Sequence, residues 1–255
     1  QYDSRALPHT VRQNGRLDQT ATYWPQGMLH TLADGNGNTT TYSDYVRGIP
    51  TRVVAAPTPE APAGATLTAT VDANGWITSV TNEVGGKTCY SHDVMGRINR
   101  VTLPSATQSG VCDASRWTEK TYEFRRLAEG EWMPTGVPMS RWRAVAAEGN
   151  HLTVTYLDAL WRPVLVHDYD ASNTNGTLRS TRKAYDLAGR ESFTSYPASQ
   201  LIPGMTGTRT AYDGLGRVTR VEQDSELGVL AATTEYLDGL RVRTTSAITS
   251  SVRSD

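Results

Sequence analysis

Few residues in this 255-residue chain have the type and spacing that chemistry needs. His92-Asp93 and His167-Asp168 each set a base beside a carboxylate, the parts of general acid–base catalysis. No Ser or Cys nucleophile motif accompanies them, and sequence neighbours on a strand point to opposite faces. A surface or hairpin role is the better reading of both pairs. The run Asp168-Tyr169-Asp170-Ala171-Ser172-Asn173-Thr174-Asn175-Gly176 offers oxygen ligands at alternate positions, as calcium loops do. Its glycine is misplaced for an EF-hand and no bidentate Glu follows, so a hydrated hairpin tip is expected. Gly214-Leu215-Gly216 is too short for a phosphate cradle and leads into no helix. No Cys/His spacing matches a zinc site. Trp117, Trp132, Trp142 and Trp161 could stack on a sugar, with packing the favoured alternative. No catalytic, cofactor-binding or metal-ligating residue is nominated, and no cofactor is expected.

One polar cluster remains, and it recurs. Tyr185-Asp186-Leu187-Ala188-Gly189-Arg190 and Tyr212-Asp213-Gly214-Leu215-Gly216-Arg217 share Tyr-Asp-x-x-Gly-Arg. A slipped copy holds Tyr90, Asp93, Gly96 and Arg97. Another holds Tyr156, Asp158 and Arg162, with Trp161 in place of glycine. A shortened copy holds Tyr236, Asp238, Gly239 and Arg241. Val71-Asp72-Ala73-Asn74-Gly75-Trp76 keeps the turn without the tyrosine, and Tyr2-Asp3-Ser4-Arg5 and Tyr42-Ser43-Asp44-Tyr45-Val46-Arg47 are weaker echoes. A catalytic group is normally unique in a domain, so repetition assigns this cluster to architecture.

Each position has a physical reason. Asp accepts backbone hydrogen bonds across a turn, and Gly sits at positive φ. Tyr buries its ring while its hydroxyl finds a partner, and Arg lays its stem over a neighbouring unit. The flanks alternate as strands do, in Thr208-Arg209-Thr210-Ala211-Tyr212 and Val218-Thr219-Arg220-Val221. Each unit is therefore a β-hairpin, too small to be stable alone, and the hairpins must stack. Asn14-Gly15, Asp34-Gly35-Asn36-Gly37-Asn38 and Asn173-Thr174-Asn175-Gly176 are further hairpin tips.

Composition agrees. The chain holds 22 Gly, 12 Tyr and only 2 Phe, and 38% of it is hydrophobic. An all-β fold is expected: stacked antiparallel hairpin repeats in an extended curved or spiralling sheet. The net charge of −1 lacks the footprint of a nucleic-acid binder or a polybasic membrane-surface protein. Mean hydropathy is −0.46 and no apolar run approaches a spanning helix. Cys89 and Cys112 could close a long hairpin loop, as suits an oxidising compartment, or remain two thiols. The whole of residues 1–255 reads as one repeat segment cut from a longer chain. Its clearest repeats span 181–196 and 208–222, and an irregular insert spans about 104–150.

The Tyr-Asp-x-x-Gly-Arg cluster, with its loose spacing, resembles the YD-repeat or Rhs-repeat family. That resemblance implies β-ribbons wound into a hollow cocoon, which in Rhs effectors and toxin-complex proteins holds a cytotoxic C-terminal domain. It further implies a secreted or exported bacterial protein without enzymatic activity. Its partners would be neighbouring shell repeats and an enclosed toxin polypeptide, without nucleic acid or membrane insertion. The self-cleaving core segment and the toxin domain of those large proteins are not found in the sequence. The alternative is a cell-surface YD-repeat module that binds glycan or protein partners.

Overall fold

The computed structural model describes residues 1–115, 119–138, 141–238, 240–246 and 250–254. Trp117 and Gly239 lie outside the described residues. The chain divides into two compact units, residues 1–121 and 122–255.

In the first unit the strands are β1 (Thr10–Gln13), β2 (Arg16–Tyr23), β3 (Leu29–Asp34), β4 (Thr39–Val46), β5 (Ile49–Val54), β6 (Thr66–Val71), β7 (Ile77–Thr81), β8 (Lys87–His92) and β9 (Ile98–Thr102). Each pairs antiparallel with the next. β10 (Lys120–Arg126) opens by pairing Lys120 with Val101 and Thr121 with Arg100. The second unit continues with β11 (Trp142–Glu148), β12 (His151–Leu157), β13 (Pro163–Asp170), β14 (Arg179–Tyr185), β15 (Glu191–Ser195), β16 (Gly207–Tyr212), β17 (Val218–Ser225), β18 (Gly228–Tyr236), β19 (Arg241–Ser246) and β20 (Ser250–Ser254). These too pair in chain order, all antiparallel. In such a meander every second connection returns to the same side of the sheet, which lines up alternate turns.

Two local expectations change. Asn173–Gly176 lies at the tip of the β13–β14 hairpin but does not form a tight turn. The β13–β14 connection is a 3₁₀ turn (Ala171–Asn173) followed by α1 (Thr174–Thr177). Asp170 starts it by accepting from the Ser172 N–H (2.7 Å), and Asn173 accepts from Gly176 N–H (3.3 Å), so local side-chain acceptors win over the tight turn. Tyr42–Arg47 is not a repeat turn either, because Tyr42–Val46 lies in β4. That hairpin closes at Arg47-Gly48, where both residues have positive φ (49° and 81°), as a two-residue turn demands. Within residues 104–150, β10 and β11 form.

The core lies in the second unit. Val154 faces His167 across the β12–β13 pair, and Tyr156 faces Leu165. This face is covered by irregular chain rather than by another sheet. Trp132 stands against both Tyr156 and His167 (centroids 5.6 Å apart in each case). Arg182 donates to Gly136 O (2.7 Å), and His167 Nε2 donates to Leu201 O (2.8 Å). Leu127 and Val137 complete the cluster, with Ile202 against it, and Leu165 is fully enclosed. Beside them an ion network ties the irregular segment to β10. Glu131 takes a bidentate pair from Arg125 (2.6 Å each), which lowers its carboxyl to about 2, helped by the Ala128 N–H.

Leu165→Ala should cost about 2–5 kcal/mol, since the site is closed on every side and cannot collapse easily. Urea unfolding followed by tryptophan fluorescence measures this. A loss below roughly 1 kcal/mol would contradict the enclosure.

Candidate functional site: the repeat turns

The same five-residue turn recurs along both units. At Asp186 the backbone N–H donates to Arg190 O (2.9 Å), and Gly189 N–H returns to Asp186 O (3.0 Å). The Asp186 carboxylate closes the loop. Oδ1 accepts from the N–H groups of Ala188 and Arg190 (2.9 Å each), and Oδ2 accepts from Arg190 Nε (2.7 Å). Asp213 repeats this with Leu215, Gly216 and Arg217, and Asp93 does so with Met95, Gly96 and Arg97. Gly96, Gly189 and Gly216 have φ of 79°, 83° and 84°, the left-handed region in which a Cβ is penalised.

Consecutive turns are joined by one contact set. The Arg162 guanidinium carbon lies 4.4 Å from the centre of the Tyr185 ring. Arg190 covers Tyr212 at 4.6 Å, and Arg217 covers Tyr236 at 4.0 Å. Each covered tyrosine returns its hydroxyl to the residue just after the covering arginine. Tyr185 donates to Pro163 O (2.8 Å), Tyr212 to Glu191 O (2.8 Å) and Tyr236 to Val218 O (3.0 Å). Arg190 Nη1 also reaches Asp213 O (2.9 Å). The first unit uses parts of this scheme. Tyr23 donates to Pro8 O (2.6 Å), and Trp76 occupies the arginine place, with its ring against His92 (centroids 5.4 Å).

The slipped copies differ in register. At Asp93 the ring position beside the turn belongs to His92, and Tyr90 lies further back in β8. At Asp158, whose N–H donates to Arg162 O (3.0 Å), Leu157 takes that position. Tyr156 is a core residue, 5% exposed, rather than a ladder ring. In the last copy the turn opens at Leu237, whose N–H donates to Arg241 O (2.8 Å), so Asp238 moves to second place. Arg241 Nε then finds the Asp238 carbonyl (3.0 Å) rather than its carboxylate. The left-handed fourth position is filled without glycine by Trp161 (φ 66°) and Leu240 (φ 62°).

Sequence reading missed further members. Trp24–Met28 and Asn82–Gly86 make the same backbone bonds, with Gly27 and Gly85 at φ of 86° and 82°. At Trp24 the signal is a lone glycine four places in, and at Asn82 it is Asn-x-x-Gly, whose Asn Oδ1 accepts from Gly86 N–H (2.7 Å). The paired residues that suggested acid–base work do not converge. Asp93 is committed to its turn, His167 is buried in the core, and Asp168 accepts from His151 Nε2 (2.9 Å) and Thr153 (2.8 Å). Burial lowers the His167 imidazole below its ordinary value and keeps it neutral. Phe124, Trp142 and Trp161 stack on one another (centroids 4.7–5.5 Å), with Trp161 more than half exposed. Among the described residues no group of three His, Cys, Asp or Glu is placed to hold a metal.

The turn carboxylates titrate low. Asp186 and Asp213 are held below the usual range first by the backbone N–H of Arg190 and Arg217, then by the guanidinium groups. At Asp93 the Arg97 side chain leads. At Asp158 burial works upward and is outweighed by the backbone and guanidinium of Arg162.

Comparison with known proteins now bears on this geometry. The RHS Repeat family model matches residues 71–108, which contain the Asp72, Asn82 and Asp93 turns. That match supports the YD/Rhs-repeat resemblance of these turns. The fold of the chain is shared with the structure titled "Structure of Photorhabdus luminescens Tc holotoxin pore, Mutation TccC3-D651A" (TM-score 0.63, 15% identity). The crystal structures of TcdB2-TccC3-TEV and TcdB2-TccC3-Cdc42 match with TM-score 0.62 at 15% and 16% identity. In each case 99% of this chain is covered, and it spans 14% of the other chain. No curated protein matches it in sequence.

Three outcomes follow for the turns. A double-mutant cycle on Arg190→Ala and Tyr212→Leu should give a coupling of about 0.5–1.5 kcal/mol in urea unfolding, and additivity would remove the ladder's energetic role. Leu240→Gly should raise the melting temperature, because it relieves about 1 kcal/mol of left-handed strain at a side chain 87% exposed. A lower melting temperature would contradict that strain. Carboxylates with depressed folded-state pKa stabilise above the unfolded value of about 4, and this stability is lost as pH falls through the folded values. Acid titration should therefore lower the melting temperature from about pH 4 downward, and less steeply in Asp213→Asn. Superimposable profiles for the two proteins would exclude the Asp213 contribution.

Proposed function

We propose that this chain is a non-catalytic stretch of Rhs-type shell that encloses a toxic cargo polypeptide in an exported bacterial toxin system. The observation that carries the reading is the ladder at Tyr185, Tyr212 and Tyr236. Successive hairpins are locked by one repeated joint, and the same polar residues are consumed in structure rather than gathered in a cleft. A wall needs such a joint, because a lone hairpin is marginal in water and a sheet grows only by adding equivalent units. The fold shared with Tc toxin structures supports the same reading. Its partners would be adjoining shell repeats and the enclosed polypeptide.

The test is protease protection of the product of the complete gene. An enclosed cargo should resist digestion in the intact protein and be cut when Arg190→Asp and Arg217→Asp loosen the wall. Equal digestion of every segment in the intact protein would overturn the proposal. The second reading, a surface module that binds glycan, draws on the exposed Trp161 stacked with Phe124 and Trp142. Glycan-array binding that is lost in Trp161→Ala would favour it.

A further inference from the structure

Residues 103–113 of the first unit form a strap that folds back onto the β7–β8 hairpin. Its base is a small ladder of its own. Pro104 bridges Cys112, Ser105 N–H donates to Val111 O (2.8 Å), and Asp113 N–H donates to Leu103 O (3.1 Å). Its tip reaches the sheet at a single acceptor. Gly110 N–H (2.7 Å) and the Ser109 hydroxyl (3.3 Å) both donate to Gly85 O. Ser109 sits so close that a Cβ on Gly85 would meet its hydroxyl oxygen. Residues 106–111 are otherwise exposed. The covalent hold is the Cys89–Cys112 disulfide, with Cα atoms 6.0 Å apart and a sequence separation of 23. Cys89 stands in mid-sheet, paired across to Ser79 and Thr102.

We propose that this disulfide is a redox latch: thiol reduction frees the strap from the β7–β8 hairpin and leaves the sheet intact. Two hydrogen bonds to one carbonyl are a weak hold for an exposed loop, whereas β7, β8 and β9 keep their ladder bonds whether or not the sulfurs are joined. The reductant is a monothiol of the glutathione class. Its thiolate attacks one sulfur, forms a mixed disulfide and releases the other cysteine as thiolate. A second thiol resolves the mixed disulfide. Two electrons and two protons end on Cys89 and Cys112, and the two small thiols leave as their disulfide. Passage from an oxidising to a reducing compartment would supply this change. The strap would respond in this way whatever the sheet encloses.

Amide hydrogen exchange on the intact chain, with and without dithiothreitol, tests the latch. On reduction the amide of Gly110, which bonds across to Gly85 O, should lose protection by about a hundredfold, the scale set by the chain entropy that a loop of this length regains. The amides of Gly75 and Gly96 in the same unit should keep theirs. The double variant Cys89→Ser, Cys112→Ser should show the reduced pattern with or without dithiothreitol. Unchanged protection at Gly110 would overturn the latch. So would a loss spread over the whole of residues 1–121, since the bond would then support the unit rather than the strap.

Discussion

The guanidinium groups of Arg162, Arg190 and Arg217, each at the end of a repeat turn, satisfy two demands at once. Each Nε is fixed by the aspartate that opens its own turn, and each flat face lies on the tyrosine that leads into the next. An exposed ion pair contributes little in isolation, because two long side chains must be held still. Here the carboxylate is already held by two backbone N–H groups, so the arginine loses freedom to a fixed partner. The ordering cost is met once and serves both the turn and the joint. Hairpin geometry, turn spacing and the path of the tyrosine hydroxyl all follow from that shared group.

The consequence for the sheet is directional. Arg162, Arg190 and Arg217 each reach forward in chain order, and Tyr185, Tyr212 and Tyr236 each reach back. Reversing the order of two hairpins would break both contacts, so the ladder specifies neighbour identity as well as stability. In the second unit the opposite turns carry no such rule. They include the short helix at 174–177 and the long connection between β15 and β16, whose residues 198–202 cover the core face. In that unit one side of the meander is therefore regular and the other varies, whereas in the first unit the five-residue turn also closes β3–β4 at Asp34 and β7–β8 at Asn82, on the opposite side.

This division explains what could be read from the sequence. The strands and the Asp186 and Asp213 turns were legible because side chains make those turns. The turn at Trp24 was not, because backbone bonds and one left-handed residue suffice, and at Asn82 an amide oxygen stands in for the carboxylate. Tyr90 and Tyr156 misled because proximity in sequence to the aspartate does not set which residue abuts the turn. The strand register does, and it places His92 and Leu157 there. The cover of the core by Leu127, Trp132 and Val137 was hidden for another reason: irregular chain has no period to detect. The two cysteines left bridge and thiols open in sequence, and only their facing positions on β8 and the strap join them.

The arginine bias of the chain then gains a structural account. Only Lys87, Lys120 and Lys183 are lysine. A lysine in the fifth turn position could pair with the aspartate, but its ammonium has no flat face for the next tyrosine and no second directed donor. Arg190 uses Nε for Asp186, Nη1 for Asp213 O and its π surface for Tyr212. Those three tasks need a planar fork, which makes Arg-to-Lys exchange at these positions a change of architecture rather than a conservative one. A repeat that depends on this fork spends its charge internally. The near-zero net charge of the chain is consistent with a wall whose polar residues face one another.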